Sequence, residues 1–88
     1  MRLHLFISGR VQGVFYRLWT KEKADKLGLT GWVKNLADGR VEAVFEGPES
    51  KLKTMVNLCY QGPAEAEVAK IEKIKEPEKG LLGFEIRY

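Results

Sequence analysis

Apolar and polar positions alternate from Arg2 to Ser8, with Leu3, Leu5 and Ile7 on one side and His4 and Phe6 on the other. A period of two is that of a half-buried strand, so His4 is read as a strand residue with no catalytic role. The period then changes. Tyr16, Thr20, Ala24 and Leu27 recur at helical spacing, Lys21, Glu22, Asp25 and Lys26 fall on the opposite side, and Trp19 widens the apolar stripe. Gly28 stands where a helix C-terminus favours glycine. The runs "LTGWVKNL" and "RVEAVFEG" flank "ADG", which predicts a hairpin with Gly39 at positive φ. In its second strand Val41, Ala43 and Phe45 alternate with Glu42, Val44 and Glu46. Gly47 and Pro48 open a second helix, with Glu49 in its first turn and Leu52, Met55, Val56 and Cys59 on its apolar face, and "QGP" closes it.

The segment from Glu65 to Lys75 obeys neither period: Ala, Glu and Lys favour a helix, while Val68, Ile71 and Ile74 suit neither pattern, so local signals leave it open. After the loop "PEKGLLG", the alternating "FEIRY" predicts a last strand. The resulting order predicts an α+β fold of the ferredoxin-like, split βαβ kind. In it an antiparallel sheet of four to five strands carries two helices on one face. The first helix is then a crossover between two parallel strands with another strand between them, so the strand ends near Gly9 and Asn35 share one edge of the sheet. Gly31 beside Trp32 is read as close packing of strand on helix.

With 88 residues the chain is expected to be one domain, residues 1–88, and its 44% apolar and 31% charged content is that of an ordinary globular protein. The alternating N-terminus is not a signal peptide and no run is long enough to span a bilayer, so a cytoplasmic protein without a membrane partner is expected. Cys59 is the only cysteine, which excludes an intrachain disulfide and a multi-cysteine metal centre, and it is read as a small apolar residue. The net charge of +3 favours an anionic partner. Lys and Glu alternate along most of the chain instead of forming a basic stripe, which suits a small anion better than a nucleic acid.

The stretch "SGRVQGVFYR" is the chemically unusual one. Between Val11 and Leu18 no Ser, Thr, Asp or Asn is present to cap the helix that follows, and Arg17 has the wrong sign for a helix N-terminus. An uncapped start leaves backbone N–H groups without acceptors, and Gly13 lets a ligand approach them. A phosphate held by the amides of Gly13 to Arg17 would explain the cation. Equally, Arg17 could be a surface residue with water on the amides, and spacing alone leaves both readings open. No "GK[ST]" follows, which excludes a nucleotide P-loop of the usual kind. Asn35 either caps the neighbouring turn or, beside such a cradle, orients a water molecule. Trp32 and Tyr16 are read as core or partly buried aromatics.

In order and spacing, "GRVQGVFYR", "GWVKNLADGRVEAVFEG", "QGP" and "FEIRY" resemble the acylphosphatase family from one end of the chain to the other. The resemblance implies that Arg17 is the phosphate-binding catalytic residue, with the backbone amides of Gln12, Gly13, Val14, Phe15, Tyr16 and Arg17 as its cradle. It also implies that Asn35 orients the nucleophilic water and that Glu65 to Lys75 is a strand. The substrate is then a small acyl phosphate, inorganic phosphate or sulfate competes with it, and the enzyme is a monomer with no cofactor, no metal and no nucleic-acid partner. Phe15 and Tyr16 stand where small residues and Phe are frequent in the family, and the bulk of Phe15 is expected to narrow the loop and affect substrate preference.

The chemistry agrees with what the sequence lacks. The leaving group of an acyl phosphate is a carboxylate of pKa about 4 to 5, which departs without a proton. A phosphate monoester would usually call for a general acid, a metal pair or a covalent nucleophile, and no such set is evident. Two other readings compete. An RNA-recognition domain would show aromatics on a central strand, for which Phe45 is the candidate, but "RVEAVFEG" lacks the "GFGF"-like core and carries two glutamates on the way to its end. An acylphosphatase-like domain of a larger carbamoyl-handling enzyme would be expected to show a linker, and none is evident.

Overall fold

The period-two run at the N-terminus forms β1 (Arg2–Arg10), and the helical stripe after it forms α1 (Tyr16–Leu27). The hairpin is β2 (Thr30–Asn35) with β3 (Val41–Glu46), and α2 (Glu49–Gln61), β4 (Glu67–Glu76) and β5 (Phe84–Arg87) complete the computed structural model, which describes all residues from Met1 to Tyr88. Strand order is β4-β1-β3-β2-β5. β3 pairs antiparallel with both β1 and β2, which makes β1 and β2 parallel with β3 between them, as the crossover reading requires.

β4 pairs antiparallel along the whole of β1, from Arg2 opposite Glu76 to Arg10 opposite Glu67, with a bulge at Ser8/Gly9. A free edge of hydrogen-bonding groups on β1 thus outweighs the helical preference of the Ala, Glu and Lys residues in this segment. β5 pairs with β2 in parallel, so the sheet is mixed and not wholly antiparallel, while the ferredoxin-like arrangement is kept. The direction of β5 follows from its connection. The loop Pro77 to Gly83 leaves the end of β4 and crosses the end of the sheet, where Gly31 N donates to Gly83 O at 2.9 Å and the Glu46 carboxylate accepts from the amides of Lys79 (2.8 Å) and Leu81 (3.1 Å).

One face of the sheet meets both helices in a hydrophobic cluster of 17 buried residues. Leu5, Ile7, Val33, Val41, Ala43 and Phe45 pack there against Tyr16, Ala24, Leu52, Met55 and Cys59. Phe45 is therefore core, stacked on Phe84 at 5.4 Å, and not the exposed aromatic of a nucleic-acid platform. Gly31 corrects a second expectation. A Cβ there would come within 1.8 Å of Val44 O, so the close approach is strand on strand and not strand on helix.

The opposite face carries polar groups in place of helices. Arg2 pairs with Glu46 at 3.0 Å and with Glu76 at 2.8 Å, the first pair almost fully buried. His4 lies between two carboxylates, Nδ1 at 2.9 Å from Glu76 and Nε2 at 2.6 Å from Glu42, and stacks on Phe6. No helix is long and apolar enough to cross a membrane.

Candidate active site

Because β1 and β2 are parallel, the turn after β1 and the residue ending β2, Asn35, lie at one edge of the sheet. β5 runs parallel to β2 and brings the residue after it, Tyr88, to the same edge. Helix α1 starts there without any side-chain cap and with no acidic residue in its first turn. Its N-cap is Phe15, held at φ 64° in the left-handed region. That conformation costs an L-residue roughly 1–2 kcal/mol, and strain of this kind gathers at ligand-binding turns. Gly13 has φ 75°, and a Cβ on it would meet nothing within 4 Å, so its backbone is open to approach.

Trp19 is the first residue of this segment whose amide finds a helical acceptor, Phe15 O at 3.0 Å; the amides from Gln12 to Leu18 donate to no protein acceptor. A run of unpaired N–H groups at a helix N-terminus is suited to accepting an anion. The turn is also fixed in place. Gln12 Nε2 donates to Leu36 O at 2.8 Å and to Arg40 O at 2.9 Å, tying the loop after β1 to the β2–β3 hairpin and hence to Asn35.

A cavity of about 400 Å³ opens at this edge, with Gly13, Arg17 and Asn35 among its lining residues. Its wall is otherwise formed by Val11, Phe15, Leu18, Ile86 and Tyr88 together with Tyr16, and no Asp or Glu lines it. The Arg17 guanidinium takes part in no ion pair and sits over the Tyr88 ring, 4.8 Å from its centre. The Asn35 Oδ1 is buried without a hydrogen-bond partner. It caps no turn: the hairpin is closed by Leu36 N to Arg40 O, and Asp38 Oδ1 accepts from Arg40 N. An acceptor buried without a donor costs on the order of 1–3 kcal/mol, which a bound donor such as water would recover.

Two buried neutral groups beside the site, Tyr16 and Cys59, are disqualified from acid–base or nucleophilic work by their surroundings. The Tyr16 hydroxyl donates to Cys59 O at 2.5 Å, and burial pushes its phenol well above the usual range. Burial likewise pushes the Cys59 thiol up to about 12, so it stays protonated and inert. No three His, Cys, Asp or Glu side chains come together as metal ligands.

Of the residues singled out in the sequence, Gly13, Phe15, Tyr16, Arg17 and Asn35 are brought together on this cavity. Gln12 and Val14 do not line it: the Gln12 side chain spans to the hairpin and the Val14 side chain is buried in the core. Phe15 is 77% exposed and is among the residues that line the cavity. Sequence reasoning missed the staple made by Gln12 and the contact of Tyr88 with Arg17. The first had no local signal, and the second depends on the parallel pairing of β5.

Comparison with known proteins agrees over the whole chain. The Acylphosphatase family model matches residues 3–86. The acylphosphatase of Haloarcula marismortui is 52% identical over 87 residues, covering 99% of this chain and 96% of that one, and that of Rubrobacter xylanophilus is 51% identical, covering 98% and 79%. The crystal structure of acylphosphatase from Bacillus subtilis superposes with a TM-score of 0.96 at 39% identity, over 99% of this chain and 98% of that one. A mixed five-stranded sheet under two helices, with this likeness to its relatives, defines a hydrolase of the ferredoxin-like fold. The chain belongs to the acylphosphatase family, and its activity is the hydrolysis of acyl phosphates.

Proposed function

We propose that hydrolysis takes place in the cavity between Arg17 and Asn35, by direct attack of a water molecule on phosphorus. The Arg17 guanidinium and the amides of Gln12 to Arg17 hold the phosphoryl oxygens as charge redistributes over them, which is where electrostatic stabilisation counts in phosphoryl transfer. Asn35 accepts a hydrogen bond from the water through Oδ1 and aligns it opposite the departing carboxylate. A P–O bond forms to water as the P–O bond to the acyl group breaks; the carboxylate leaves with the electron pair, and the proton of the water passes to a phosphoryl oxygen. The carboxylate needs no proton to leave at neutral pH, so a cavity that no Asp, Glu or His lines suffices. No step calls for a metal.

The observation that carries this reading is the juxtaposition of a guanidinium without an ion-pair partner and a buried, unpartnered amide oxygen on one cavity that no Asp or Glu lines. Its test is phosphate release from benzoyl phosphate or acetyl phosphate by the wild type and by Arg17→Gln and Asn35→Ala. Loss of at least a hundredfold in each variant is expected, on the scale of removing one preorganised donor or positioning group. Inorganic phosphate and sulfate should compete with substrate. The reading extends to a cytoplasmic monomer; the buried thiol of Cys59 is not placed to form a disulfide between chains, and light scattering of the purified protein checks the monomer.

A further inference from the structure

A second cavity, of about 380 Å³, lies at the other end of β1, between α2 and the β1–β4 edge. Leu3 on its floor and Val11 in the first cavity are eight residues apart, roughly 26 Å along an extended chain, and the two cavities share no residue. Its origin lies in β4. Ile71 pairs with Ile7 and is buried, whereas Lys73 pairs with Leu5 and Lys75 with Leu3. Directly paired residues project to the same face of a sheet, so two positions of the helix-facing side carry lysines where the pattern of β1 calls for apolar side chains. Helix α2 cannot close over them, and a trough remains.

The floor of the trough is apolar, made by Met1, Leu3, Leu52 and Val56, and Lys53 of α2 joins Lys73 and Lys75 around it. None of these three lysines takes part in an ion pair, although Lys21, Lys34 and Lys70 elsewhere do. Glu49 is the only carboxylate on the cavity. Three lysines around one trough with a single carboxylate repel one another, and an anion with an apolar chain would relieve that repulsion while covering the half-buried Met1 and Leu3. The volume is within the range of about 300–1,000 Å³ usual for small-ligand pockets.

We propose that this trough is a second binding site, for an amphiphilic carboxylate: a carboxyl head among Lys53, Lys73 and Lys75 and an aliphatic chain on Leu3, Leu52 and Val56. The chemical class is that of the acid released when an aliphatic acyl phosphate is hydrolysed.

The experiment is a titration of the protein, saturated with inorganic phosphate to occupy the active-site cradle, with octanoate followed by amide NMR shifts. Saturable shifts are expected at Leu3, Leu52, Val56, Lys73 and Lys75, absent with acetate, which has the head alone, and with octanol, which has the chain alone. The double variant Lys73→Gln/Lys75→Gln should bind octanoate at least tenfold more weakly and hydrolyse acyl phosphate at the wild-type rate. All three lysines are exposed, so the variants are expected to fold. Shifts confined to Val11 to Leu18 and Tyr88, no saturation at millimolar octanoate, or unchanged affinity in the double variant would overturn the proposal. The lysines would then be left with the role of keeping the β4 edge from pairing with another chain.

Discussion

The guanidinium of Arg17 lies 4.8 Å from the centre of the Tyr88 ring, and both residues line the cavity that holds Asn35. One face of the cation is thus fixed by the aromatic ring, which leaves its N–H edge free for an oxyanion. An exposed cation–π contact is worth about 0.5–1 kcal/mol. Tyr88→Ala is therefore expected to raise KM and the inhibition constant for phosphate together by roughly two- to fivefold. Tyr88→Phe should retain wild-type values. A Tyr88→Ala variant with unchanged phosphate inhibition would show that the ring does not position Arg17.

Arg17 separates stability from function. It opposes the dipole of α1, pairs with no carboxylate, and in the free protein costs roughly 0.3–1 kcal/mol. Arg17→Gln should abolish hydrolysis and leave the ligand-free protein about equally stable, the lost contact with the Tyr88 ring offsetting the relieved dipole, while phosphate should raise the melting temperature of the wild type far more than that of the variant. Arg17→Lys should not restore activity, because an ammonium lacks the planar fork of donors. Thermal melts with and without phosphate decide it; a markedly less stable ligand-free variant would mean that Arg17 is structural.

Asn35 should fail in another way. Its Oδ1 has no protein partner to lose, and its proposed work is done as water attacks. Asn35→Ala is then expected to lower kcat while KM and phosphate inhibition stay within about twofold, the signature of an interaction made chiefly in the transition state. Equal losses in binding would make Asn35 a phosphate ligand.

Arg17 stood out in the sequence because a misplaced charge on an uncapped helix is a local contradiction, but spacing alone left a surface cation equally open, and its proposed role came from the family resemblance. The stripe of Tyr16, Thr20 and Ala24 and the alternation of Val41, Ala43 and Phe45 were legible because each is fixed by the period of its own element. The strand from Glu67 to Glu76 was not legible locally, since its partner is β1, some sixty residues away in sequence. Resemblance supplied what propensity withheld. Tyr88 and the Gln12 staple were beyond reach for the same reason: both contacts exist only once β5 and the hairpin are set beside β2 and β1. Gly31 was noticed but assigned the wrong neighbour, because a close approach says that something is near without saying what.

The far end of the sheet should govern acid stability. Burial pushes the Glu46 carboxyl up, but the amides of Lys79 and Leu81 and the guanidinium of Arg2 outweigh it and hold the group below the usual carboxylate range. Hydrogen bonds from Arg2 and His4 hold Glu76 below that range as well. Between the folded and unfolded values the unfolded chain binds more protons, so stability rises with pH across that interval. This contribution is complete above the ordinary glutamate value of about 4.3 and is lost as the pH falls through the lower folded values. The melting temperature should accordingly hold level down to about pH 5 and fall steeply below about pH 4. In Glu46→Gln the acid limb should be shallower. At neutral pH that variant should be less stable by about 1.5–3 kcal/mol, because Arg2 keeps Glu76 but loses one of its two charged partners and the crossing loop loses an ionised acceptor. Thermal melts of both proteins from pH 7 to pH 2 test this. An acid limb as steep in the variant as in the wild type would remove Glu46 from the account and leave the acid sensitivity to carboxylates elsewhere.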